Sequence, residues 1–335
     1  MRKYNLAIVG TGAVGQTILD ILAERNFPVN NLKLLATQRS AGKIMTFQGK
    51  DYTIEETTAA SFDDVDIAFF AGGAASKEFA KEAVKRGAIV IDNSSAFRLD
   101  PEVPLVVPEV NPEDVKNHNG IIANPNCSTI QMVVALKPIY DAAKITRVIV
   151  STYQAVSGAG QEAIDELLLQ TKQVFNSEDV TPKVFPHQIA FNLIPHIDIF
   201  MDNGYTKEEM KMVEETKKIL HDSTIKITAT TVRVPIIRSH SEAINVETER
   251  DLTVSEAKEI FSKAPGIVLY DDPSQKIYPM PLMASNRDEV FVGRVRKDIS
   301  TERGLSFFVV ADQLRKGAAT NAIQIAELLL QYNLV

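Results

Sequence analysis

The run Gly10-Thr-Gly-Ala-Val-Gly15, close to the start of the chain, restricts the possible folds more than any other stretch. An apolar segment at 4–9 precedes it and predicts a short strand, whereas Val14 and Ile18 begin a helical pattern. A second strand is predicted at 32–36, which completes a β-α-β unit. In such a unit the three glycines allow a tight turn, a close approach of a pyrophosphate and close helix–strand packing. An ordinary glycine-rich turn is the alternative, and the flanking strand and helix favour the phosphate-binding loop.

The alternation of strands and helices continues through the first third of the chain. Strands are predicted at 65–70 and 88–91, and the helix between them, at 75–86, is ended by Gly87. Such alternation is typical of a parallel, doubly wound sheet. We therefore expect an α/β, Rossmann-type dinucleotide-binding domain.

Beyond Cys127 the pattern of elements changes, because predicted strands follow one another with helices interspersed. The predicted strands lie at 147–156, 225–237, 242–247 and 291–298, and the predicted helices at 161–175 and 206–221. This order is typical of an α+β domain with a mixed, largely antiparallel sheet. A chain of 335 residues also exceeds the size at which a single core keeps growing. We expect one domain at 1–127, with a C-terminal helix within 314–335 packing back on it, and a second domain at 128–313.

The end of the second strand indicates which dinucleotide binds. An NAD enzyme usually carries an acidic residue there to hold the ribose hydroxyls, but this chain has Ala36-Thr-Gln-Arg-Ser40. Arg39 can pair with a 2′-phosphate, and Ser40 can add a hydroxyl group. A solvated surface arginine is the alternative for Arg39. The sequence therefore predicts NADP as the cofactor, bound by the loop residues Gly10, Thr11, Gly12, Ala13, Val14 and Gly15 and by Arg39 and Ser40.

The overall composition excludes several classes of partner. A net charge of −7 argues against nucleic acid or an anionic membrane as the main partner, since both select basic surfaces. No apolar run is long enough to span a bilayer, and the N-terminal residues lack a signal-peptide core, so we expect a cytoplasmic protein. The five histidines are scattered and the single cysteine has no neighbour at metal-ligand spacing, so we expect no metal.

The only cysteine, Cys127, lies in the run Ala123-Asn-Pro-Asn-Cys-Ser-Thr-Ile-Gln131. The residues after it are apolar and compatible with a helix, which Asn126 or Ser128 can cap. The positive end of a helix dipole favours a thiolate over a thiol. A free cysteine is nevertheless commonly a small buried residue. The local sequence leaves both readings open, an inert core thiol and a nucleophile.

Several stretches spread over the whole chain together resemble the aspartate-β-semialdehyde dehydrogenase family of bacterial type. They are Asp92-Asn-Ser-Ser-Ala-Phe-Arg98, Val107-Pro-Glu-Val-Asn111, Asn124-Pro-Asn-Cys-Ser-Thr129, Gln154-Ala-Val-Ser-Gly158, Glu215-Thr-Lys-Lys218, Arg233-Val-Pro-Ile-Ile-Arg-Ser-His240 and Asp312-Gln-Leu314. The cysteine run and the spacing from Arg233 to His240 are the most specific of these. The family's usual glycine loop reads G-A-T-G-x-V-G, one residue longer than here. The shorter loop still matches the general dinucleotide fingerprint, so we expect binding to survive.

The resemblance implies a reaction in which aspartate semialdehyde, phosphate and NADP give aspartyl phosphate and NADPH, reversibly. In the reductive direction it would supply the synthesis of lysine, diaminopimelate, methionine, threonine and isoleucine. The resemblance assigns Cys127 as the nucleophile, which carries the aspartyl group as a thioester. It assigns His240 as the acid–base residue for the thiol and thiohemiacetal protons. Without the resemblance, a structural histidine is the more common reading of such a position.

The resemblance also implies how the substrates are held. Arg233 would bind the α-carboxylate, Glu215 would face the ammonium group, and Gln154 would orient the substrate near the thiol. Arg98 and Lys218 would bind phosphate, and Ser157, Gly158 and Gln313 would contact the nicotinamide half. Since Glu215 and Lys218 are three residues apart on a predicted helix, a solvent-exposed ion pair is the alternative for them. Asn126 is interpreted as a helix cap.

Two other functions remain as alternatives. A related acyl-phosphate reductase, such as an N-acetyl-γ-glutamyl-phosphate reductase, has the same fold logic and a Cys/His pair but a different substrate pocket. A non-catalytic dinucleotide sensor is the reading from a different class. We also expect a homodimer, because strands such as 291–298 are predicted to offer a flat apolar surface and because the family is commonly dimeric.

Overall fold

The computed structural model describes residues 2–335, whose contacts divide the chain into two compact units. The first unit extends to Asn126 and includes Ala318–Val335, and the second is Cys127–Gly317. Each has its own sheet, of seven strands in the first and six in the second. The expected combination of a Rossmann-type α/β domain and an α+β domain with a mixed sheet is confirmed.

The first unit contains seven strands and three helices. The strands are β1 (Tyr4–Val9), β2 (Val29–Ala36), β3 (Ile44–Phe47), β4 (Lys50–Glu56), β5 (Ile67–Phe70), β6 (Ile89–Asp92) and β7 (Ile121–Ala123), and the helices are α1 (Ala13–Glu24), α2 (Gly73–Lys85) and α8 (Thr320–Gln331). The strand order is β3-β4-β2-β1-β5-β6-β7, and every pair is parallel except β3–β4. Strand β1 pairs with β2 on one side and with β5 on the other, so the order in which successive strands are added to the sheet reverses beside β1. This is the position at which open α/β sheets bind ligands.

The second unit is built on a sheet of order β11-β12-β13-β10-β8-β9, in which β8–β9 and β11–β12 are parallel and the other pairs antiparallel. Its strands are β8 (Ile145–Gln154), β9 (Lys226–Arg233), β10 (His240–Thr248), β11 (Ile267–Leu269), β12 (Val290–Lys297) and β13 (Gly304–Ala311). Its helices are α3 (Cys127–Ala143), α4 (Gln161–Phe175), α5 (Lys207–Ile219), α6 (Val254–Lys263) and α7 (Pro281–Ala284).

Helix α3 packs against β8, β10, β12 and β13 and is buried around most of its circumference. A helix that is apolar on all sides belongs inside a core, because no face of it gains from water. The other side of the sheet is less covered, and Tyr153 is 39% exposed there. The second unit therefore has one sheet face packed by α3 and one partly open face.

Some predicted elements begin or end elsewhere in the structure. The strand expected at 225–237 ends at Arg233, and the helix expected from residue 314 begins at Thr320 after a π-helical turn at Arg315–Ala319. Ser128 lies inside α3, so the prediction that it caps this helix is wrong, and Asn126 is the residue that precedes the helix. The hairpin β3–β4 and the strand β13 were not predicted at all.

Candidate functional site

The loop between β1 and α1 forms one wall of a cleft of about 580 Å³ in the first unit. Gly10 has φ +102°, and a Cβ on Gly15 would lie 2.0 Å from the Gly10 carbonyl oxygen, so the chain can make this turn only with glycine at both positions. Nothing lies within 4 Å of the Cβ that Gly12 lacks, and no side chain caps the start of α1. The first N–H groups of a 12-residue helix thus face open space, which suits a phosphate.

The residues expected to bind the rest of a dinucleotide lie after β2. Ser40 lines the cleft, whereas Arg39 is exposed and makes no ion pair with residues 2–335. Glu56 at the end of β4 also lines the cleft, because β4 pairs with β2 and places Glu56 beside Ala36. Glu56 was not predicted from the sequence, in which an acidic residue is expected only at the end of β2 and the β2–β4 pairing is not visible.

Arg98 lies in the first unit, in the loop that follows β6. It is 8% exposed, and its guanidinium donates hydrogen bonds from Nε to the carbonyl of Asn124 at 2.9 Å and from Nη2 to the carbonyl of Asn93 at 2.8 Å. These bonds fix the orientation of the side chain. Its expected role in binding phosphate stays a prediction.

The second unit places the thiol at the first residue of α3. Cys127 is half-buried, and a Cβ on Gly317 would lie 3.0 Å from the Cys127 Cβ, so the glycine permits close packing against the thiol-bearing residue. Ser128, the next residue, accepts a hydrogen bond from Nε2 of Gln154 at the end of β8. The end of β8 and the start of α3 therefore meet at the cysteine.

The main chain of Ala155 connects the other two principal side chains. Its N–H donates to Nδ1 of His240 at 3.1 Å, and its carbonyl accepts a hydrogen bond from Nη1 of Arg233 at 2.6 Å. His240 is the first residue of β10 and Arg233 the last of β9, and both strands flank or neighbour β8 in the sheet. The main chain of a single residue, Ala155, thus holds the His240 imidazole and the Arg233 guanidinium near each other.

Burial and charge set the protonation states of this group. Burial and, to a smaller extent, the positive charge of Arg233 lower the pKa of His240 to about 3, and the negative charge of Glu208 opposes them. Burial also lowers the pKa of Arg233, while the negative charges of Glu208 and Cys127 raise it. An arginine in this state keeps its proton. The site therefore combines a neutral imidazole with a buried, permanently charged guanidinium.

Glu208 is a residue of this group that the sequence analysis missed. It is 5% exposed, accepts a hydrogen bond from Gln154 at 3.1 Å and forms an ion pair with Lys211 at 3.0 Å. It lies seven residues before Glu215, so the two lie on the same face of α5. The seven-residue spacing of Glu208 and Glu215 on a predicted helix was the sequence signal that could have identified Glu208.

Glu215 and Lys218 lie on α5 as predicted, but Glu215 is only 1% exposed. The alternative of a solvent-exposed ion pair is therefore wrong.

The residues expected to contact the nicotinamide half lie close together in the second unit. Gln313 donates to Ser157 Oγ and accepts from the Ser239 N–H at 2.7 Å. A Cβ on Gly158 would lie 3.0 Å from Nη1 of Arg233, so this glycine lies directly beside the Arg233–His240 pair.

Comparison with known proteins bears on the whole chain. The profile described as "Semialdehyde dehydrogenase, NAD binding domain" matches residues 5–118, and "Semialdehyde dehydrogenase, dimerisation domain" matches residues 136–316. An aspartate-semialdehyde dehydrogenase of Aquifex aeolicus is 60% identical over 99% of both chains. This chain belongs to the aspartate-semialdehyde dehydrogenase family. Like the other aspartate-semialdehyde dehydrogenases, it is an oxidoreductase that acts on an aldehyde.

Solved structures of aspartate-semialdehyde dehydrogenases have the same fold. Aspartate semialdehyde dehydrogenase II of Vibrio cholerae, complexed with ASA, superposes with a TM-score of 0.96 at 50% identity and 99% coverage of both chains. A more distant relative from Candida albicans, with NADP, gives a TM-score of 0.78 at 25% identity over 100% of both chains.

Among residues 2–335, no helix is long and apolar enough to cross a membrane. Within the same residues, no three His, Cys, Asp or Glu side chains are grouped so that they could hold a metal ion.

Proposed function

We propose that this chain is an NADP-dependent, phosphorylating aspartate-semialdehyde dehydrogenase that works through a thioester on Cys127. The observation that carries the proposal is the grouping of the half-buried Cys127 with Arg233 and His240 in one unit. A thiol beside a fixed anion site and an imidazole is what acyl transfer from an amino-acid aldehyde requires.

The substrate is positioned by its charged groups. The guanidinium of Arg233 binds the α-carboxylate, and because Arg233 is buried, the charge of that carboxylate is strongly attracted. Glu215 faces the ammonium group from α5, and Gln154 orients the substrate. The amide of Gln154 is itself fixed, since its Nε2 donates to both Ser128 and Glu208.

The reaction then proceeds on sulfur. Cys127 adds to the aldehyde carbon and gives a thiohemiacetal, and His240 acts as the acid–base residue for the proton of its oxygen. The Gly10–Gly15 loop would hold the dinucleotide and Ser157, Gly158 and Gln313 its nicotinamide half, and the cofactor would supply the hydride acceptor. Loss of hydride would leave a thioester, whose carbonyl carbon phosphate attacks. Arg98 in the first unit and Lys218 in the second are the residues that we propose to bind phosphate. Aspartyl phosphate leaves and the thiolate is regenerated. The product enters the synthesis of lysine, diaminopimelate, methionine and threonine in the cell.

Two observations bear on the choice of NADP. Arg39 is an exposed cation without an ion pair at the end of β2, which suits a 2′-phosphate. Glu56 in the same cleft suits the ribose hydroxyls of NAD. We propose that Arg39 prevails, because a flexible, fully charged guanidinium gains more from a phosphate dianion than Glu56 gains from two hydroxyls.

The proposed function is tested by following reduced cofactor in mixtures of protein, aspartate semialdehyde and NADP. Formation of NADPH that depends on phosphate is expected, and Cys127→Ser should abolish it because a serine hydroxyl is neither activated here nor a comparable acyl carrier. N-acetyl-γ-glutamyl semialdehyde serves as the comparison substrate. Faster turnover of that aldehyde would support the related reductase, and unchanged activity of the serine variant would support the sensor.

We further propose that the chain forms a homodimer through the open face of the second unit's sheet. Tyr153, Ser241 and Phe308 lie on this face, and an apolar groove of about 420 Å³ there is also lined by Tyr278 and Met280. The strand expected to supply the surface, 291–298, is mostly buried within the unit, and α3 and α6 pack against β12. A half-exposed apolar sheet face is costly in water unless a second copy covers it.

A further inference from the structure

The guanidinium of Arg233 is buried, yet it makes few bonds of its own. Its one hydrogen bond to residues 2–335 runs from Nη1 to the Ala155 carbonyl, at 2.6 Å. A guanidinium carries five N–H groups, so most of them remain for a ligand. A carboxylate that binds through both oxygens needs this planar group in a fixed orientation. A single bond at Nη1 leaves the plane free to tilt, so a second contact on the guanidinium matters.

The ring of Phe185 supplies that second contact. It lies over the guanidinium, with 5.8 Å between Cζ of Arg233 and the ring centroid. This is within the distance of about 6 Å at which the face of an aromatic ring attracts a cation. The N–H groups of a guanidinium point outward in its own plane. An aromatic ring above that plane can therefore hold the cation and leave its N–H edge to a carboxylate.

The main chain that carries Phe185 is anchored by a buried carboxylate of α4. Glu166 is 7% exposed and accepts hydrogen bonds from the main-chain N–H groups of Lys183, at 3.1 Å, and of Val184. Gln170, one turn further along α4, donates to Glu166 at 2.9 Å and fixes the carboxylate in turn. Hydrogen bonds to a buried, charged acceptor are among the stronger ones. The position of the ring is thus set from α4.

The same segment also holds the main chain of Arg233. The N–H of Ile194 donates to the Arg233 carbonyl at 2.9 Å, and the N–H of Arg233 donates to the Ile194 carbonyl at 2.8 Å. Between these contacts, Phe185 packs against an apolar cluster that includes Ile194 and Val156. The segment after α4 therefore contacts both the main chain and the side chain of Arg233.

We propose that Phe185 is a positioning residue for the α-carboxylate of the aldehyde substrate, acting through the Arg233 guanidinium. This inference rests on the proposed function, in which Arg233 binds that carboxylate. A side chain that is ordered before binding loses less freedom when the ligand arrives. The ring also keeps water from one face of the guanidinium, so the attraction between the two charges is screened less. Phe185 should therefore affect substrate binding and not the bond changes at Cys127.

Steady-state kinetics of two variants at this position separate the aromatic ring from its apolar volume. Phe185→Leu should raise the KM for aspartate semialdehyde about 10-fold and change kcat less than about two-fold. The KM values for NADP and phosphate should stay as in the parent. Phe185→Tyr retains the ring and should keep the parent's KM for the aldehyde. A leucine variant with the parent's KM, or one whose kcat falls as far as its kcat/KM, would overturn the proposal.

Phe175→Leu is the matched control for the loss of a ring. Phe175 is 77% exposed at the end of α4, and its ring packs against that of Phe191, with 5.7 Å between the centroids. This variant should leave every kinetic constant unchanged. Glu166→Gln provides a second route to the same effect, because a neutral amide holds the segment before Phe185 less firmly. If thermal melting shows that Phe185→Leu is unfolded, an unchanged KM in Glu166→Gln would overturn the proposal.

A second aldehyde distinguishes carboxylate binding from a general effect on the site. 3-Aminopropanal has the aldehyde and the amine of aspartate semialdehyde but no α-carboxylate. Phe185→Leu should leave its kcat/KM unchanged, because the guanidinium has no partner on this substrate. An equal loss with both aldehydes would contradict the assignment to the carboxylate. Failure of the proposed function would appear differently, as a parent protein that forms no NADPH from aspartate semialdehyde.

Discussion

At the scale of single residues, the candidate site depends on contacts that the fold supplies to a few polar side chains. Arg233 and His240 are oriented by a peptide group, and Gln154 by Ser128 and Glu208. Each of these polar groups is buried, and a buried polar group has few conformations that satisfy its hydrogen bonds. The orientations of these three side chains are therefore set by the fold itself.

Replacing Glu208 by Gln should misplace Gln154 and remove a negative charge beside Arg233. A hydrogen bond to a charged group contributes about 1.5–3 kcal/mol, so kcat/KM for the aldehyde should fall roughly 10- to 100-fold. Steady-state kinetics measure this fall. Glu214→Gln on the same helix is the control, because Glu214 is half-exposed and forms an ion pair with Lys217 at 3.3 Å. Equal activity of both variants would rule out a role for Glu208.

Replacing Arg39 by Ala should raise the KM for NADP roughly 10- to 100-fold and leave the KM for NAD nearly unchanged. The reason is that only the 2′-phosphate gains from the guanidinium. Glu56→Gln is the companion variant in the same cleft, and it should weaken NAD more than NADP. If Arg39→Ala changes both cofactors equally, the assignment of NADP through Arg39 is incorrect.

At the scale of elements, β10 carries His240 at its first residue and Glu242 two residues later on the same face. Glu242 is fully buried against α3, so burial raises its pKa well above the ordinary value of 4.5, and the amide of Gln131 offsets only part of this. The carboxyl group is thus neutral in the folded protein. The unfolded chain, in contrast, ionises it above about pH 4.5.

Glu242→Gln should therefore stabilise the protein at alkaline pH. A group whose pKa is raised on folding contributes stability below its unfolded pKa and loses it as pH rises, and an amide has no such loss. The variant and the parent should unfold alike near pH 4.5 and differ progressively more towards about pH 8, as chemical denaturation measures. Glu247→Gln on the same strand is the control, since Glu247 is partly exposed and pairs with Arg147. A constant difference across pH would contradict the neutral buried carboxyl.

Local sequence patterns predicted long, regular elements well and missed those defined by partners. Helix α4 lies at the predicted residues, and β1 matches the segment at 4–9. The hairpin β3–β4 is mostly exposed and polar, so no apolar alternation marks it. Strand β13, which pairs with β10 and β12 on either side, does carry a local signal, because 305–311 is an almost continuous apolar run of the length typical of a buried strand.

The candidate site shows the same division. Cys127, His240 and Arg233 were found because their motifs are specific, and the structure brings the last two together through Ala155. Glu208 and Glu56 were missed, because each reaches its place only after helix packing or strand pairing. Residues that act through the main chain or through a neighbouring strand leave no pattern in the sequence.

At the scale of the whole molecule, the open sheet face predicts the assembly. Phe308 is half-buried there and its ring lies 6.3 Å from that of Tyr153. Phe308→Lys places a charge in the proposed interface, and light scattering should show a monomer where the parent is a dimer. Leu168→Lys is the control, because Leu168 is 52% exposed on α4. A parent that is monomeric at working concentration, or a dimeric Phe308 variant with native circular dichroism, would remove this interface.

The two bonds made by Ala155 have a consequence for how this protein tolerates change. Every residue except proline has both a main-chain N–H and a carbonyl, so other substitutions at position 155 alter only the packing around the Ala155 methyl group and leave both bonds possible. The effect of each point substitution at position 155 should therefore depend on how much space surrounds the Ala155 methyl group. The alignment of the imidazole with the guanidinium depends on the backbone position of residue 155, directly after β8. It changes only when that backbone shifts.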